Sequence, residues 1–309
     1  MKNNNIKIDV VVVTYNRLEK LKHALSCYEI QADKLQSIIV VNNNSTDGTK
    51  DFLKVWESNL CNCQKKIINL KENIGGAGGF ATGQEYALKQ NTDWIFVADD
   101  DAYVSCDFFA KFVNYLDCKQ CKEKLCAICS TVYNMDGSIS YAHRAYVQSK
   151  WNYFHITHST SEDYNKSQFY CDLYSYVGTF LNANAMRKYG ICNKELFIYA
   201  DDSEHSLRIS QYGKIICVTS LKIYHDSGQE TEKSVSLLSW RDYYATRNII
   251  YLQKKYRPFA AFVNSIRMLT LGCRKKNGNV IKMQYIAVLD AWKGKLGIHS
   301  KYRPGFTIK

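Results

Sequence analysis

Trp94-Ile95-Phe96-Val97-Ala98-Asp99-Asp100-Asp101 is the stretch on which the reading of this chain turns. A run of bulky and β-branched apolar residues has the pattern of a strand buried on both faces, and three consecutive carboxylates cannot continue it into a core. They mark the strand's exit. Neighbouring carboxylates repel and raise one another's pKa, so the triplet is stable either as a solvated turn or against a cation. Hard oxygen ligands suit Mg²⁺ or Mn²⁺, which bind through one or two carboxylates together with substrate phosphates. On these eight residues alone both readings stand.

Upstream, Asp9 opens Val10-Val11-Val12-Val13, which ends abruptly in Thr14-Tyr15-Asn16-Arg17. Leu18, Leu21, Ala24, Leu25 and Tyr28 then recur at helical spacing, and Ser37-Ile38-Ile39-Val40-Val41 ends in Asn42-Asn43-Asn44-Ser45-Thr46-Asp47-Gly48. This is a strand-helix-strand unit. A helix over 49–59, capped by Ser45 or Thr46, a strand over 67–70 and a helix opened by the segment 73–80 and running to about 90 follow. The alternation predicts an open parallel sheet with helices on both faces, in which ligands bind beyond the carboxyl ends of the strands. Four polar or glycine-rich exits fall at those ends, and their convergence favours the metal reading of the triplet. The run Gly75-Gly76-Ala77-Gly78-Gly79 allows close backbone approach and offers amides at a helix start. It lacks GxGxxG spacing with a later acid, which counts against a dinucleotide site.

Val11-Val12-Val13-Thr14-Tyr15-Asn16-Arg17, the exit Asn42 to Thr49 and the Asp99-Asp100-Asp101 triplet together resemble the inverting family 2 glycosyltransferases of GT-A fold. The glycine segment 73–80 is most similar to galactofuranosyltransferases, with rhamnosyltransferases next. The resemblance implies an α/β, Rossmann-like, mostly parallel sheet flanked by helices. It further implies a donor bound at the first two strand exits, with its diphosphate on a metal. Carried over by position, Asp99 and Asp101 flank metal and ribose with Asp100 supporting them, while Thr14, Asn16, Arg17, Asn44 and Gly76 line the nucleotide sugar.

Downstream, helices are expected over 107–116 and 183–189 and strands over 125–132, 174–181, 214–218 and 221–224, with irregular acceptor-side structure over 141–172. Phe180 is expected to face the acceptor. The second chemical stretch is Asp201-Asp202-Ser203-Glu204. Acids at a helix start are favoured by free amides and the dipole, whatever else they do. An inverting transfer also requires one carboxylate to take the acceptor's proton. The resemblance implies Asp202 as that base, with Asp201 and Glu204 orienting acceptor hydroxyls. Ala200 stands where galactofuranosyltransferases usually carry Trp. The same resemblance makes His225 a third metal ligand, and neutral imidazole is acceptable to Mn²⁺. Trp240-Arg241-Asp242-Tyr243-Tyr244-Ala245-Thr246-Arg247-Asn248 resembles a further segment of this group, with Arg241 and Arg247 expected to reach phosphate.

The chain divides by charge. Residues 233–309 carry 16 Lys or Arg against 2 acids, leaving 25 against 27 in residues 1–232. The first part is read as the catalytic domain, with a donor half over about 1–104 and an acceptor half over about 105–232. The second is read as a helical extension whose basic and aromatic residues suit an anionic membrane surface, or a solvated face with its aromatics inward. No run reaches the ~20 apolar residues of a membrane span, and no leading apolar segment is evident, so a cytoplasmic protein peripheral to the inner face of the membrane is expected. The 12 cysteines are expected reduced. Cys118, Cys121, Cys126 and Cys129 have paired spacing but a short intervening loop, and strand packing is preferred to zinc. The expected reaction is transfer of galactofuranose from its UDP donor to a lipid-linked surface glycan. Rhamnose from a dTDP donor, a UDP-hexopyranose, a nucleotidyltransferase and an idle sugar-nucleotide or nucleic-acid binding module are the alternatives.

Overall fold

The computed structural model describes residues 6–118, 123–150, 153–228, 239–274 and 277–307. Its strands are β1 (Ile8–Thr14), β2 (Ser37–Asn42), β3 (Gln64–Asn69), β4 (Trp94–Asp99), β5 (Ala102–Val104), β6 (Leu125–Asn134), β7 (Arg144–Lys150), β8 (Tyr153–His158), β9 (Gln168–Cys171), β10 (Leu173–Tyr174), β11 (Thr179–Asn182) and β12 (Lys214–His225). The helices are α1 (Leu18–Glu29), α2 (Thr49–Ser58), α3 (Gly75–Lys89), α4 (Phe108–Asp117), α5 (Ser161–Tyr164), α6 (Ala183–Tyr189), α7 (Asp201–Ile209), α8 (Trp240–Tyr256), α9 (Pro258–Arg274) and α10 (Gly278–Lys293).

The main sheet runs β3-β2-β1-β4-β11-β6-β12-β5, with β9 also paired to β12. Its first four strands are parallel, as the alternating sequence predicts. Beyond them the sheet is mixed, because β11 runs antiparallel to both β4 and β6. β1 is buried along its whole length, and its side chains alternate between two cores on opposite faces of the sheet. One core contains an aromatic knot in which Phe180 stacks on Phe112 with ring centroids 3.6 Å apart and also meets Phe96, Phe108 and Phe109. Phe180 therefore corrects the expectation placed on it. Its side chain points from β11 into the core at 0% exposure and meets no acceptor.

Two further expectations give way. Residues 141–172 are not irregular. β7 pairs antiparallel with β8 and β10 in a second small sheet. Apolar periodicity missed it because Arg144, which opens β7, is itself buried and donates to the carbonyls of Ser130, His143, Val177 and Gly178. A buried arginine breaks the alternation that marks a strand. The two short strands over 214–224 are likewise one strand, β12, with a register shift between Cys217 and Lys222. Thr219 at the shift donates to the carbonyls of Lys166 and Ser167 and reads in the sequence as a loop residue. Cys126 and Cys129 are buried within β6, while Cys121 lies outside the described residues.

Truncation of Phe180 to alanine removes the centre of the knot and is expected to cost about 3–5 kcal/mol, measured by chemical denaturation. Phe180→Leu is expected to keep the acceptor KM of the parent; a selective rise in that constant would return Phe180 to the acceptor site.

Candidate active site

The register of the parallel strands assembles the site. Val13 of β1 stands opposite Asp99 of β4, so the residues just beyond each strand meet across the gap. Thr14 Oγ1 donates to Asp100 Oδ2 at 2.7 Å. Arg17, half-exposed at the start of α1, reaches Asp101 Oδ2 at 2.6 Å and Asp100 Oδ1 at 3.3 Å. The triplet thus has a cation of its own chain against it, which a solvated turn would not require.

The three carboxylates are electrostatically distinct. Burial, then the charges of Asp101 and Asp100, pushes the Asp99 carboxyl up to about 7. Burial also lifts Asp100, to about 6, against the pull of Arg17 and Thr14. Asp101 feels the same burial, but His225 and Arg17 outweigh it and hold its carboxyl below the ordinary range. His225 closes β12 beside β5, and its imidazole is raised because Asp101 and Asp99 override the penalty of burial. Ligating atoms of Asp99, Asp101 and His225 all lie within 4.8 Å of one another. Asp101 Oδ1 is buried with no hydrogen bond, although His225 Nε2 stands 3.3 Å away. An orphaned buried carboxylate oxygen within a set of two carboxylates and an imidazole fits a hard divalent ion such as Mn²⁺ or Mg²⁺.

A cleft of about 230 Å³ adjoins this cluster, and Thr14, Arg17, Gly76, Asp99 and Asp100 of the expected set line it. Gly76, in the first turn of α3, has open space where a Cβ would sit. Asn16 and Asn44 do not line the cleft. Both adopt left-handed backbone, and Asn16 ties the two exits together by accepting from the Thr46 amide at 2.7 Å. Asn43 lines it instead, holding the entry to α3 through Asn73 and Gly75. Tyr15, exposed at the cleft, and Trp240 and Arg241 from α8 were not among the predicted binding set, although Arg241 was expected near phosphate.

The second acidic stretch opens α7 after a tight, strained approach. Phe197 has φ 66° and ψ −61°, with the Ile198 amide donating to the Leu196 carbonyl at 2.8 Å, which is a γ-turn. Tyr199 and Ala200 follow at φ 66° and 60°. Each such non-glycine conformation costs on the order of 1–3 kcal/mol, so the surroundings must hold it. Asp201 and Asp202 then begin α7, half-buried. Burial and the neighbouring Asp202 push Asp201 up to about 8, and the Cys192 thiol faces its Oδ2 at 3.8 Å. Burial raises Asp202 as well, opposed by the hydrogen bonds of Ser203 to its Oδ1. Among the described residues no hydrogen bond engages Asp202 Oδ2. Glu204 departs from expectation. It is 2% exposed, and Arg208 and Lys255 take up its oxygens, so it braces α7 against α8 and is not open to an acceptor. Arg247 also departs, being buried with its guanidinium on the carbonyls of Gly297 and Leu196 and away from any phosphate. His205 is fully buried between Tyr174 and Tyr176 and pushed down to about 3 by burial, which keeps it neutral and structural.

Residues 9–177 match the model of the family described as Glycosyl transferase family 2. The chain belongs to that family. It is a glycosyltransferase. A stretch of 91 residues, 29% of this chain, is 35% identical to galactofuranosyltransferase GlfT1 of Mycolicibacterium smegmatis, and spans 28% of that protein. The dTDP-rhamnosyl transferase RfbF of Shigella flexneri is 24% identical over 95% of this chain and 98% of its own length. The fold is similar to that of a mannosyltransferase from Pyrobaculum calidifontis solved with GDP-Man and Mn²⁺, at TM-score 0.54 and 15% identity, covering 93% of this chain and 87% of the other. These neighbours are GT-A glycosyltransferases, and the mixed sheet described above has that architecture.

Proposed function

We propose that this glycosyltransferase is metal-dependent and inverting, and that it transfers galactofuranose from UDP-galactofuranose to a hydroxyl of a lipid-linked surface glycan. The observation that carries the reading is the orphaned Asp101 Oδ1 in the Asp99–Asp101–His225 cluster, at the edge of a cleft floored by Gly76. Those three residues would hold Mn²⁺ or Mg²⁺, which when bound neutralises the departing diphosphate. Thr14 and Asp100 fix the wall of the nucleotide site, and Arg17 can pass from the carboxylates to phosphate. Asp202 takes the proton of the acceptor hydroxyl as its oxygen bonds to the anomeric carbon and the bond to the diphosphate breaks. Asp201, held nearer neutrality, is suited to donate a hydrogen bond to the acceptor. We assign the donor half to residues 1–104, the acceptor half to 105–232 and the extension to 233–309.

Rhamnose from dTDP-rhamnose is the second reading, favoured by the end-to-end match to the Shigella enzyme. Nucleotide release from a panel of UDP- and dTDP-sugars, each with Mn²⁺ and with chelator, separates the two. Turnover is expected with UDP-galactofuranose and to stop with chelator; turnover unaffected by chelator would remove the metal from the mechanism.

Asp202→Asn is expected to lower transfer about 100-fold or more while UDP still binds. Because burial raises the Asp202 carboxyl and the base acts deprotonated, the parent rate should fall as pH drops through a limb above the ordinary aspartate range. Transfer by Asp202→Asn at the parent rate would sink the assignment.

The membrane reading rests on α9. Among the described residues no helix is long and apolar enough to cross a bilayer. Phe259, Phe262, Val263 and Ile266 are exposed along one face of α9, while Ala261, Asn264, Ser265 and Gly272 on the other face are buried. An apolar stripe in a basic region suits the interface of an anionic leaflet, here the inner face of the membrane. The full chain is expected to float with phosphatidylglycerol vesicles and not with phosphatidylcholine ones, and Phe259→Ser with Phe262→Ser to abolish flotation; equal recovery with both lipids, or none, would discard the proposal.

A further inference from the structure

The loop that delivers the two aspartates of α7 contains three left-handed non-glycine residues in four positions, Phe197, Tyr199 and Ala200. Backbone of that kind needs its carbonyls bound by groups that will not yield. Their partners can be followed one by one. The Ala200 carbonyl accepts from the Glu204 amide within α7, and the Phe197 carbonyl from the Ala77 amide at the start of α3. Gly75 is required there, since a Cβ would lie 2.1 Å from the Phe197 oxygen. The other four carbonyls, of Glu195, Leu196, Ile198 and Tyr199, are all bound by the C-terminal region. Gly297 donates to Glu195 at 2.6 Å. Asn248 of α8 holds the remaining three, its Nδ2 lying 2.9 Å from the Leu196 oxygen, 2.8 Å from Ile198 and 2.9 Å from Tyr199.

The orientation of this carboxamide is forced. Asn248 Oδ1 accepts from Arg247 Nε at 2.8 Å, a group that can only donate, and Nδ2 faces carbonyls, which can only accept. Arg247 in turn binds the Leu196 and Gly297 carbonyls and stacks against Tyr244, whose ring lies 4.9 Å from that of Phe197. Asn248 is 0% exposed, so bulk water does not compete with it for these carbonyls. Two hydrogens shared among three carbonyls fix the relative positions of residues 196, 198 and 199, immediately before the acids. The same helix begins with Trp240 and Arg241 in the donor cleft and carries Lys255 onto Glu204 of α7.

We infer that Asn248 is a positioning residue for the transfer reaction: it holds the 196–200 loop in its strained form and thereby sets the direction in which Asp202 meets the acceptor. The inference rests on the proposed role of Asp202 as base. It makes α8 part of the catalytic apparatus, though Asn248 touches no substrate.

The test is a double-mutant cycle in the full chain with Asn248→Ala, Asp202→Asn and both together. Rates are read as nucleotide release from whichever of UDP-galactofuranose or dTDP-rhamnose supports turnover, and binding as the affinity for the matching UDP or dTDP. Asn248→Ala is expected to lower kcat about 100-fold, the effect of roughly 1 Å of misplacement, with nucleotide affinity and donor KM within about threefold. Added to Asp202→Asn, it is expected to lower the residual rate by no more than about threefold, since two changes acting through one group are not additive. Full additivity, an unchanged kcat, or loss of nucleotide affinity in step with kcat would each overturn the positioning role. An active Asp202→Asn enzyme removes the base assignment, whatever Asn248→Ala does, and the inference goes with it. If Asn248→Ala does not fold, Asn248→Ser supplies the same cycle with one donor kept and an intermediate loss expected; failure of both to fold shows a purely structural residue and overturns the inference.

Discussion

Three carboxylates are forced together where β4 ends, and the groups packed around them answer to their repulsion. Parallel register brings Thr14 and Arg17 to the same level as Asp100 and Asp101. β12 then returns, beside β5, to set His225 against Asp101. The result is graded. Asp101, flanked by Arg17 and His225, is held ionised, while Asp99 lies nearer to protonation because burial and two like charges act on it. A divalent ion would relieve both terms at once, since it supplies charge where burial has removed water.

The parallel half of the fold was legible because its physics is local. Runs such as Val10 to Val13 and Ile38 to Val41 are buried on both faces, and polar residues stop them at one end of the sheet. Thr14, Arg17, Gly76, Asp99, Asp101 and His225, singled out from those endings and from the resemblance they carry, are brought together at the cleft or in the cluster beside it. Legibility failed where a polar side chain is spent inside. Arg144 hid β7, Thr219 split β12, and Phe180 looked like a cleft residue because an apolar side chain near an active site has the same sequence signature whether it faces core or substrate. Asn16 and Asn44 differ again, since neither lines the cleft. A polar residue at a strand exit can line a ligand or tie two loops, and Asn16, left-handed and accepting from the Thr46 amide, does the second.

The approach to α7 was least legible because its shape is set by contacts distant in the chain. Nothing in residues 195–202 announces a γ-turn or left-handed alanine, for the residues there are not those that favour such backbone. The conformation is imposed by α3 on one side and by α8 and the 297 turn on the other. Arg247 illustrates the consequence. Its sequence context suggested phosphate, yet each edge of its guanidinium is engaged within the chain, Nε on Asn248 Oδ1 and the two terminal nitrogens on the carbonyls of Gly297 and Leu196.

The two halves of the site thus obey different constraints. At the strand ends, register and burial place the carboxylate cluster. The loop before Asp202 must turn back against its own preferences, and this chain holds it from a helix nearly 50 residues downstream. An extension read from its basic and aromatic residues as a membrane contact is, at α8, buried against the loop by Tyr243, Tyr244, Arg247 and Asn248. Among the described residues, α9 presents an exposed apolar face. The division between catalytic domain and extension drawn from charge composition therefore separates residues that the hydrogen bonds of the loop join.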